Sequence, residues 1–328
     1  MAKKKILVVG GAGYIGSYVN KLLDDSGYET VVMDNLSMGD RRAVTRGLFV
    51  ETDMGHVEAL NVLFTAHRFD AVMHFAAFTD VGESVSAPAK YYQNNTANTL
   101  TLLDAMVRHG VNTFIFSSTA AIFGIPLVTP MDEKHPQSPI NPYGESKRMV
   151  ESILRDYHHA YGLRFCCLRY FNAAGGDPTG EIKYFKKKES NLIPVALKSL
   201  LKGTSITIFG TDYPTLDGTG VRDYIHLHDL ATAHLLAMEE LFTDKQTTYY
   251  NLGNGRGFSV REVLESINRV TGKSLSIEEG PRRAGDPPTL LAGSDKARSV
   301  LNWKPIYPEL DGIVRDHWNV IKVNEALF

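Results

Sequence analysis

Lys5-Ile6-Leu7-Val8-Val9-Gly10-Gly11-Ala12-Gly13-Tyr14-Ile15-Gly16 is the stretch that decides the fold. An apolar run of strand length leads into clustered glycines, and a segment of helical period over 14–26 follows, ending near Gly27. The spacing satisfies both G-x-x-G-x-x-G and G-x-G-x-x-G. Glycine suits such a loop because the backbone must turn tightly and approach a pyrophosphate closely, while the last glycine lets the helix pack on the strand. The helix N-terminus then offers unpaired N–H groups and partial positive charge to phosphates. Asp34 ends a second predicted strand, Glu29–Asp34, 18 residues past Gly16. A carboxylate there accepts hydrogen bonds from ribose hydroxyls and repels a 2′-phosphate, so NAD is expected rather than NADP. The bland reading, a structural turn followed by a strand-end Asp, is disfavoured by the strand before the glycines and the helix after them.

Outward from this unit, strands are expected over 71–76 and 113–118, helices over 89–109 and 141–161, and a strand over 163–172. Strand–helix alternation at this spacing predicts an α/β fold: a Rossmann-like doubly wound parallel sheet with a smaller C-terminal α/β substrate-binding domain. Residues 1–172 are expected to bind NAD and 173–328 the substrate, with the chain crossing back between the two. The second half is less regular, with loops expected over 175–191, 211–220 and 278–288. The basic run Lys183, Lys186, Lys187 and Lys188 is expected to be solvated surface. At 328 residues with 43% hydrophobic and 22% charged residues, the chain has the composition of an ordinary folded protein. A net charge of -2 gives no bulk electrostatic reason to expect nucleic acid or an anionic membrane as partner. The two cysteines, Cys166 and Cys167, are adjacent and poor disulfide partners, which fits a reducing cytoplasm. Four apolar residues after Lys3–Lys5 are too few for a secretory segment, and no stretch approaches a membrane span.

Tyr143-Gly144-Glu145-Ser146-Lys147 places a tyrosine and a lysine at i and i+4, on one face of the helix over 141–161. Tyrosine ionises near pH 10, so a nearby ammonium and a positive nicotinamide are expected to favour the phenolate. A phenolate takes a proton from a hydroxyl as hydride leaves the same carbon. Ser117, Ser118 and Thr119 end the strand over 113–118, and strand C-termini meet the cofactor crevice in a doubly wound sheet. A hydroxyl there can hold the reacting oxygen. No metal site is expected, because neither His226 with His228 nor His158 with His159 has helical metal-ligand spacing.

The glycine motif, Asp34, Thr119, Tyr143 and Lys147 together resemble the extended short-chain dehydrogenase/reductase superfamily. Further segments resemble the UDP-glucose 4-epimerase family within it: Asp34-Asn35-Leu36-Ser37, His74-Phe75-Ala76-Ala77, Val81-Gly82-Glu83-Ser84, Leu168-Arg169-Tyr170-Phe171-Asn172, Asn191-Leu192-Ile193-Pro194, Tyr250-Asn251-Leu252-Gly253 and Arg282-Arg283-Ala284-Gly285-Asp286. The longest is Asp217-Gly218-Thr219-Gly220-Val221-Arg222-Asp223-Tyr224-Ile225-His226. The resemblance runs from about Lys5 to Trp303. It implies an isomerase and a homodimer sharing helices near 98–109 and 149–161. It implies Thr119, Tyr143 and Lys147 as catalytic residues. For NAD it implies Gly10, Gly13, Tyr14, Ile15, Gly16, Asp34, Asn35, Ser37, Asp53, Met54, Phe75, Ala76, Ala77, Asn94 and Tyr170, together with Tyr143 and Lys147. For the UDP-sugar it implies Asn172, Asn191, Leu192, Thr207, Phe209, Arg222, Arg283 and Asp286, together with Thr119 and Tyr143. Two arginines suit a diphosphate, since the guanidinium fork matches its oxygens. The bland alternatives are that Phe209, which follows Ile206 and Ile208, is core, and that Arg222 pairs with Asp223 on the surface.

In the implied mechanism Tyr143 takes the 4-hydroxyl proton, Thr119 holds that oxygen, and hydride passes to NAD and back to the opposite face of a 4-keto sugar. Several residues depart from the family pattern. Thr79 replaces a frequent cofactor-contacting lysine, Ala77 a glycine and Phe123 a tyrosine. Leu290 stands at the sugar-pocket gatekeeper, where a tyrosine goes with excluding N-acetyl sugars and a small residue with admitting them. Ala120 and Ala121 stand where dehydratases and decarboxylating relatives carry acidic residues, which disfavours both chemistries. A 4-epimerase acting on another UDP-sugar, an N-acetylhexosamine, pentose or uronate, stays open. A non-catalytic NAD-binding regulator is disfavoured by the presence of both Tyr143 and Lys147.

Overall fold

In the computed structural model, residues 3–185, 189–243, 247–283 and 285–322 are described. Lys5–Val9 forms β1, Glu29–Asp34 β2, Leu48–Glu51 β3, Ala71–His74 β4, Thr113–Thr119 β5 and Arg164–Tyr170 β6. Then come β7 (Asn172–Ala174), β8 (Ile206–Phe209), β9 (Val221–His226), β10 (Thr248–Leu252), β11 (Gly257–Ser259), β12 (Ile277–Gly280) and β13 (Thr289–Leu290). One sheet has the order β10-β6-β5-β4-β1-β2-β3. β1 runs parallel to β2 and β4, β3 parallel to β2, and β5 parallel to β4. The order reverses at β1, and the crevice beyond the carboxyl ends of strands at such a switch point is where ligands bind in open α/β sheets.

Leu7, Val31, Val72, Phe114 and Phe165 pack on one side of this sheet with Leu60, Leu103, Val150 and Leu154 from the helices Val57–Ala66, Asn98–Arg108 and Pro142–Tyr161. Strand residues of the opposite parity, Ile6, Val8, Val32, Met73 and Ile115, are also buried. Both faces are therefore covered, which is why these strands read as continuous apolar runs rather than alternating ones.

The helix after the glycines spans Tyr14–Asp25, with Ser26 as C-cap and Gly27 in the left-handed region. The long helix spans Pro142–Tyr161. Asn141 caps it by accepting from the Gly144 amide at 2.8 Å, proline fills the first turn, and left-handed Gly162 ends it. The helix over 89–109 is helical throughout, as Pro88–Tyr91, a π-helical segment Tyr92–Ala97 and Asn98–Arg108. Within the π-helical segment the buried Asn95 amide accepts from Phe78 N (2.9 Å) and donates to Phe78 O (3.0 Å) and Ser146 Oγ (3.2 Å). Two expectations are corrected. The strand over 163–172 is split at Phe171, because β6 stays in the large sheet while β7 pairs with β9. The loop over 278–288 begins as a strand, since Ile277–Gly280 adds in parallel to Ile206–Phe209. β3 and the helix Val57–Ala66 are elements that sequence reading did not place.

The chain folds as two compact units: Met1–Gly124, Gln137–Arg169 and Ala231–Tyr250 form one, and Ile125–Pro136, Tyr170–Leu230 and Asn251–Phe328 the other. Of the basic run, Lys183 donates to Gly180 O at 2.6 Å, whereas Lys186, Lys187 and Lys188 lie outside the described residues. Among the described residues no helix is long and apolar enough to cross a membrane.

Candidate active site

In the first unit a cavity opens beyond the carboxyl ends of β1, β2 and β4. Eleven of the expected cofactor residues line it: Gly10, Gly13, Asp34, Asn35, Ser37, Asp53, Met54, Phe75, Ala76, Ala77 and Asn94. Val9, Met33, Met38, Gly39, Thr52 and Phe78 also line it, and sequence reading missed them. Only Gly39 carried a local signal. A Cβ there would stand 2.9 Å from the Ala12 backbone, so the loop after β2 needs glycine to lie against the glycine loop. The glycine loop is itself closely fitted. A Cβ on Gly10, whose φ is +79, would lie 2.4 Å from the Ala76 amide, and one on Gly16 2.3 Å from the Gly10 carbonyl. Tyr14, Ile15 and Gly16 form the first turn of a helix whose N-cap, Gly13, makes no side-chain cap bond. A helix N-terminus behind a glycine loop fits a dinucleotide pyrophosphate. Asp34 accepts from Ala12 N (3.0 Å) and Leu36 N (2.8 Å) at the edge of this cavity. Asp53 accepts from Asn35 Nδ2 (2.6 Å) and Gly55 N (2.7 Å). Thr79 is exposed.

The catalytic candidates also lie in this unit. Thr119 ends β5, where its hydroxyl accepts from Ala121 N at 3.2 Å and stands close enough to the Tyr143 phenol to draw its pKa down. Lys147, one helical turn from Tyr143, is buried, and its Nζ donates to Ser117 O at 2.9 Å and stands 4.7 Å from the Phe116 ring centre. Burial pushes the Lys147 amine down to about 7, opposed by Cys167. Burial likewise pushes the Tyr143 phenol up, and the Thr119 hydrogen bond pulls it back. Without a bound cofactor both groups are desolvated, and desolvation disfavours each charged form. Among the described residues, Thr119 draws the phenol downward. Phe123 is buried with the Arg169 guanidinium 5.5 Å from its ring centre. Ala120 and Ala121 form a 3-10 turn after Thr119.

The substrate candidates belong to the second unit. Asn172 donates to Asp223 O at 3.0 Å. Asn191 is the N-cap of Leu192–Lys202 and makes no side-chain cap bond. Thr207 and Phe209 lie on β8, and Phe209 is 38% exposed, so it is not core. The Arg283 guanidinium stacks over the Phe209 ring, 4.1 Å from its centre. Arg222 donates to Val221 O at 2.8 Å and pairs closely with Asp286, rather than with Asp223. Of this set, Arg222 meets Asp286 and Arg283 meets Phe209. Ala284, within the same segment, lies outside the described residues. Asp223, which sequence reading gave no role, is a buried anchor. It accepts from Asn254 N (2.7 Å), Gly255 N (3.0 Å) and Ala292 N (3.1 Å), yet burial still raises its carboxyl to about 6. It thereby fixes the chain beside Leu290, which pairs with Arg222 across β13 and β9. Tyr170 is buried at the end of β6.

The family described as NAD dependent epimerase/dehydratase matches residues 6–253. The chain belongs to this family. It is 48% identical over 315 residues to a UDP-glucose 4-epimerase of Halalkalibacterium halodurans, covering 96% of this chain and 94% of that one. The structure matches UDP-glucose 4-epimerase from Brucella ovis in complex with NAD, with a TM-score of 0.94 and 46% identity over 96% of this chain and 97% of that one. It also matches UDP-glucose 4-epimerase from Bifidobacterium longum in complex with NAD+ and UDP, with a TM-score of 0.93 and 35% identity over 99% of this chain and all of that one. The chain is therefore an NAD-dependent epimerase of Rossmann-like fold.

Proposed function

We propose that this epimerase interconverts UDP-galactose and UDP-glucose by inverting C4. The observation that carries the reading is the Thr119–Tyr143 hydroxyl pair at the end of β5, with buried Lys147 one turn along the helix. Tyr143 accepts the proton of the sugar 4-hydroxyl, and Thr119 holds the same oxygen while that proton moves. When bound, NAD supplies a reversible hydride acceptor, so that a 4-keto sugar forms and is reduced again without net oxidation. Lys147 fixes the cofactor end of the helix and offers a cation that favours the phenolate once Tyr143 ionises. Asn172, Asn191, Leu192, Thr207, Phe209, Arg222, Arg283 and Asp286 hold the UDP group. Arg222 exchanges Asp286 for phosphate oxygens, and Phe209 offers a face to the uracil.

Strong anchoring of UDP with few sugar contacts lets both faces of C4 meet the same hydride position. Leu290, half-buried and intermediate in size, keeps UDP-N-acetylhexosamines within the same reading. The first unit serves the cofactor and the second the UDP-sugar. The enzyme works in the cytoplasm as a homodimer joined through Asn98–Arg108 and Pro142–Tyr161. Replacing the base tests the assignment. Tyr143→Phe lowers turnover by roughly 10²–10⁴-fold while bound NAD is retained. Undiminished turnover by that variant excludes Tyr143 as the base.

A further inference from the structure

Three successive residues at the end of β5 are each tied to a different turn of one face of the helix Pro142–Tyr161. Ser117 O accepts from Lys147 Nζ (2.9 Å), Ser118 Oγ donates to Glu151 Oε1 (2.6 Å), and the Thr119 hydroxyl meets Tyr143. The outer ties belong to the catalytic set. The middle one ends on a carboxylate with no exposed surface. Glu151 also accepts from Arg169 Nε (2.9 Å) and Nη2 (2.6 Å) on β6, and from Gln137 Nε2 (3.2 Å). Arg169 is itself 3% exposed, with its guanidinium 4.5 Å from the Tyr249 ring centre. The other titratable groups around Glu151 are Cys167 on β6, Tyr249 on β10 and, one turn along the helix, Arg155.

A buried ion pair is a poor way to gain stability, since well-packed apolar side chains of similar volume often serve as well or better. What this pair supplies is direction. Two oxygens and a planar guanidinium fork fix β5, β6 and the helix against one another in one register. We infer that Glu151, held by Arg169, is a positioning residue for the epimerisation, setting the end of β5 so that Thr119 meets Tyr143. The inference rests on the proposed roles of Thr119 and Tyr143.

The test uses the NAD-loaded enzyme and four variants. Ser118→Ala removes one hydroxyl from the middle tie. Glu151→Leu with Arg169→Met removes both charges together, so that neither is left buried alone. Ser118→Thr keeps the hydroxyl, and Tyr143→Phe is run in parallel. The expected result for Ser118→Ala and for the double variant is a kcat about tenfold lower with KM for UDP-galactose within about twofold of wild type. Bound NAD is retained. The acid limb of the kcat–pH profile moves to higher pH, because the Thr119 bond that draws the phenol downward is misaligned. Ser118→Thr restores both kcat and the profile. Unchanged kcat and pH profile in Ser118→Ala, or a lowered Tm as the sole effect in both it and the double variant, overturns the inference. Should Tyr143→Phe itself keep full turnover, the reading of the catalytic residues fails instead.

Discussion

His74 closes β4 beneath the nucleotide cavity, 1% exposed, with Nε2 3.3 Å from Met54 Sδ and 3.2 Å from Thr99 Oγ1. Burial, reinforced by the nearby Lys147 amine, pushes it down to about 3. The folded chain therefore keeps His74 neutral down to about pH 3, whereas the unfolded histidine takes its proton near 6.5. Stability from this group is complete above pH 6.5 and drains away as pH falls toward 3. The slope is about 1.4 kcal/mol per pH unit for one proton. Between pH 7.5 and 5.5, His74→Gln is expected to lose about 1.4 kcal/mol less stability than the wild type in urea unfolding. An identical pH slope in the two proteins contradicts the assignment. Tyr143, Lys147 and Thr119 were legible as candidates because their types and spacing state their chemistry. Glu151, Arg169 and Asp223 were not, because charged side chains read as surface until the partners that neutralise them are seen, 18 residues away for Glu151 and Arg169 and up to 69 for Asp223 and Ala292.

At the scale of elements, the turn from β1 into the first helix is the most constrained. All three nearest atoms to a Cβ on Gly16 are backbone, at 2.3, 2.9 and 3.0 Å, so no side chain can yield. Gly16→Ala is expected to cost about 1–3 kcal/mol, seen as a lowered Tm, and to reduce the NAD carried by the purified protein. Wild-type melting and wild-type nucleotide content in that variant would show that the glycine loop does not hold NAD. This unit was readable because strand, glycine loop and helix follow one another within a dozen residues and each obeys a local rule. The π-helical segment was not, since the bonds of its Asn95 run to Phe78 and Ser146, 17 and 51 residues away. The strand Ile277–Gly280 escaped for the same reason: four residues show no period, and only their register with Ile206–Phe209 makes them a strand. The long helix was placed well because its cap, its proline and its terminal glycine are all local signals.

For the whole molecule, the proposed subunit bundle draws on the helices Asn98–Arg108 and Pro142–Tyr161. Tyr157 on the long helix pairs closely with Asp104 on Asn98–Arg108, which ties together the two helices proposed to form the subunit bundle. Light scattering at micromolar protein is expected to give twice the chain mass of 36.3 kDa. A mass near that of one chain would remove the homodimer. The proposed C4 epimerisation with bound NAD is tested by incubating the purified protein with UDP-galactose and no added cofactor, and following the sugar nucleotide by chromatography. UDP-glucose is expected to accumulate to a fixed ratio with UDP-galactose. No UDP-glucose, even after NAD is added, would contradict C4 epimerisation.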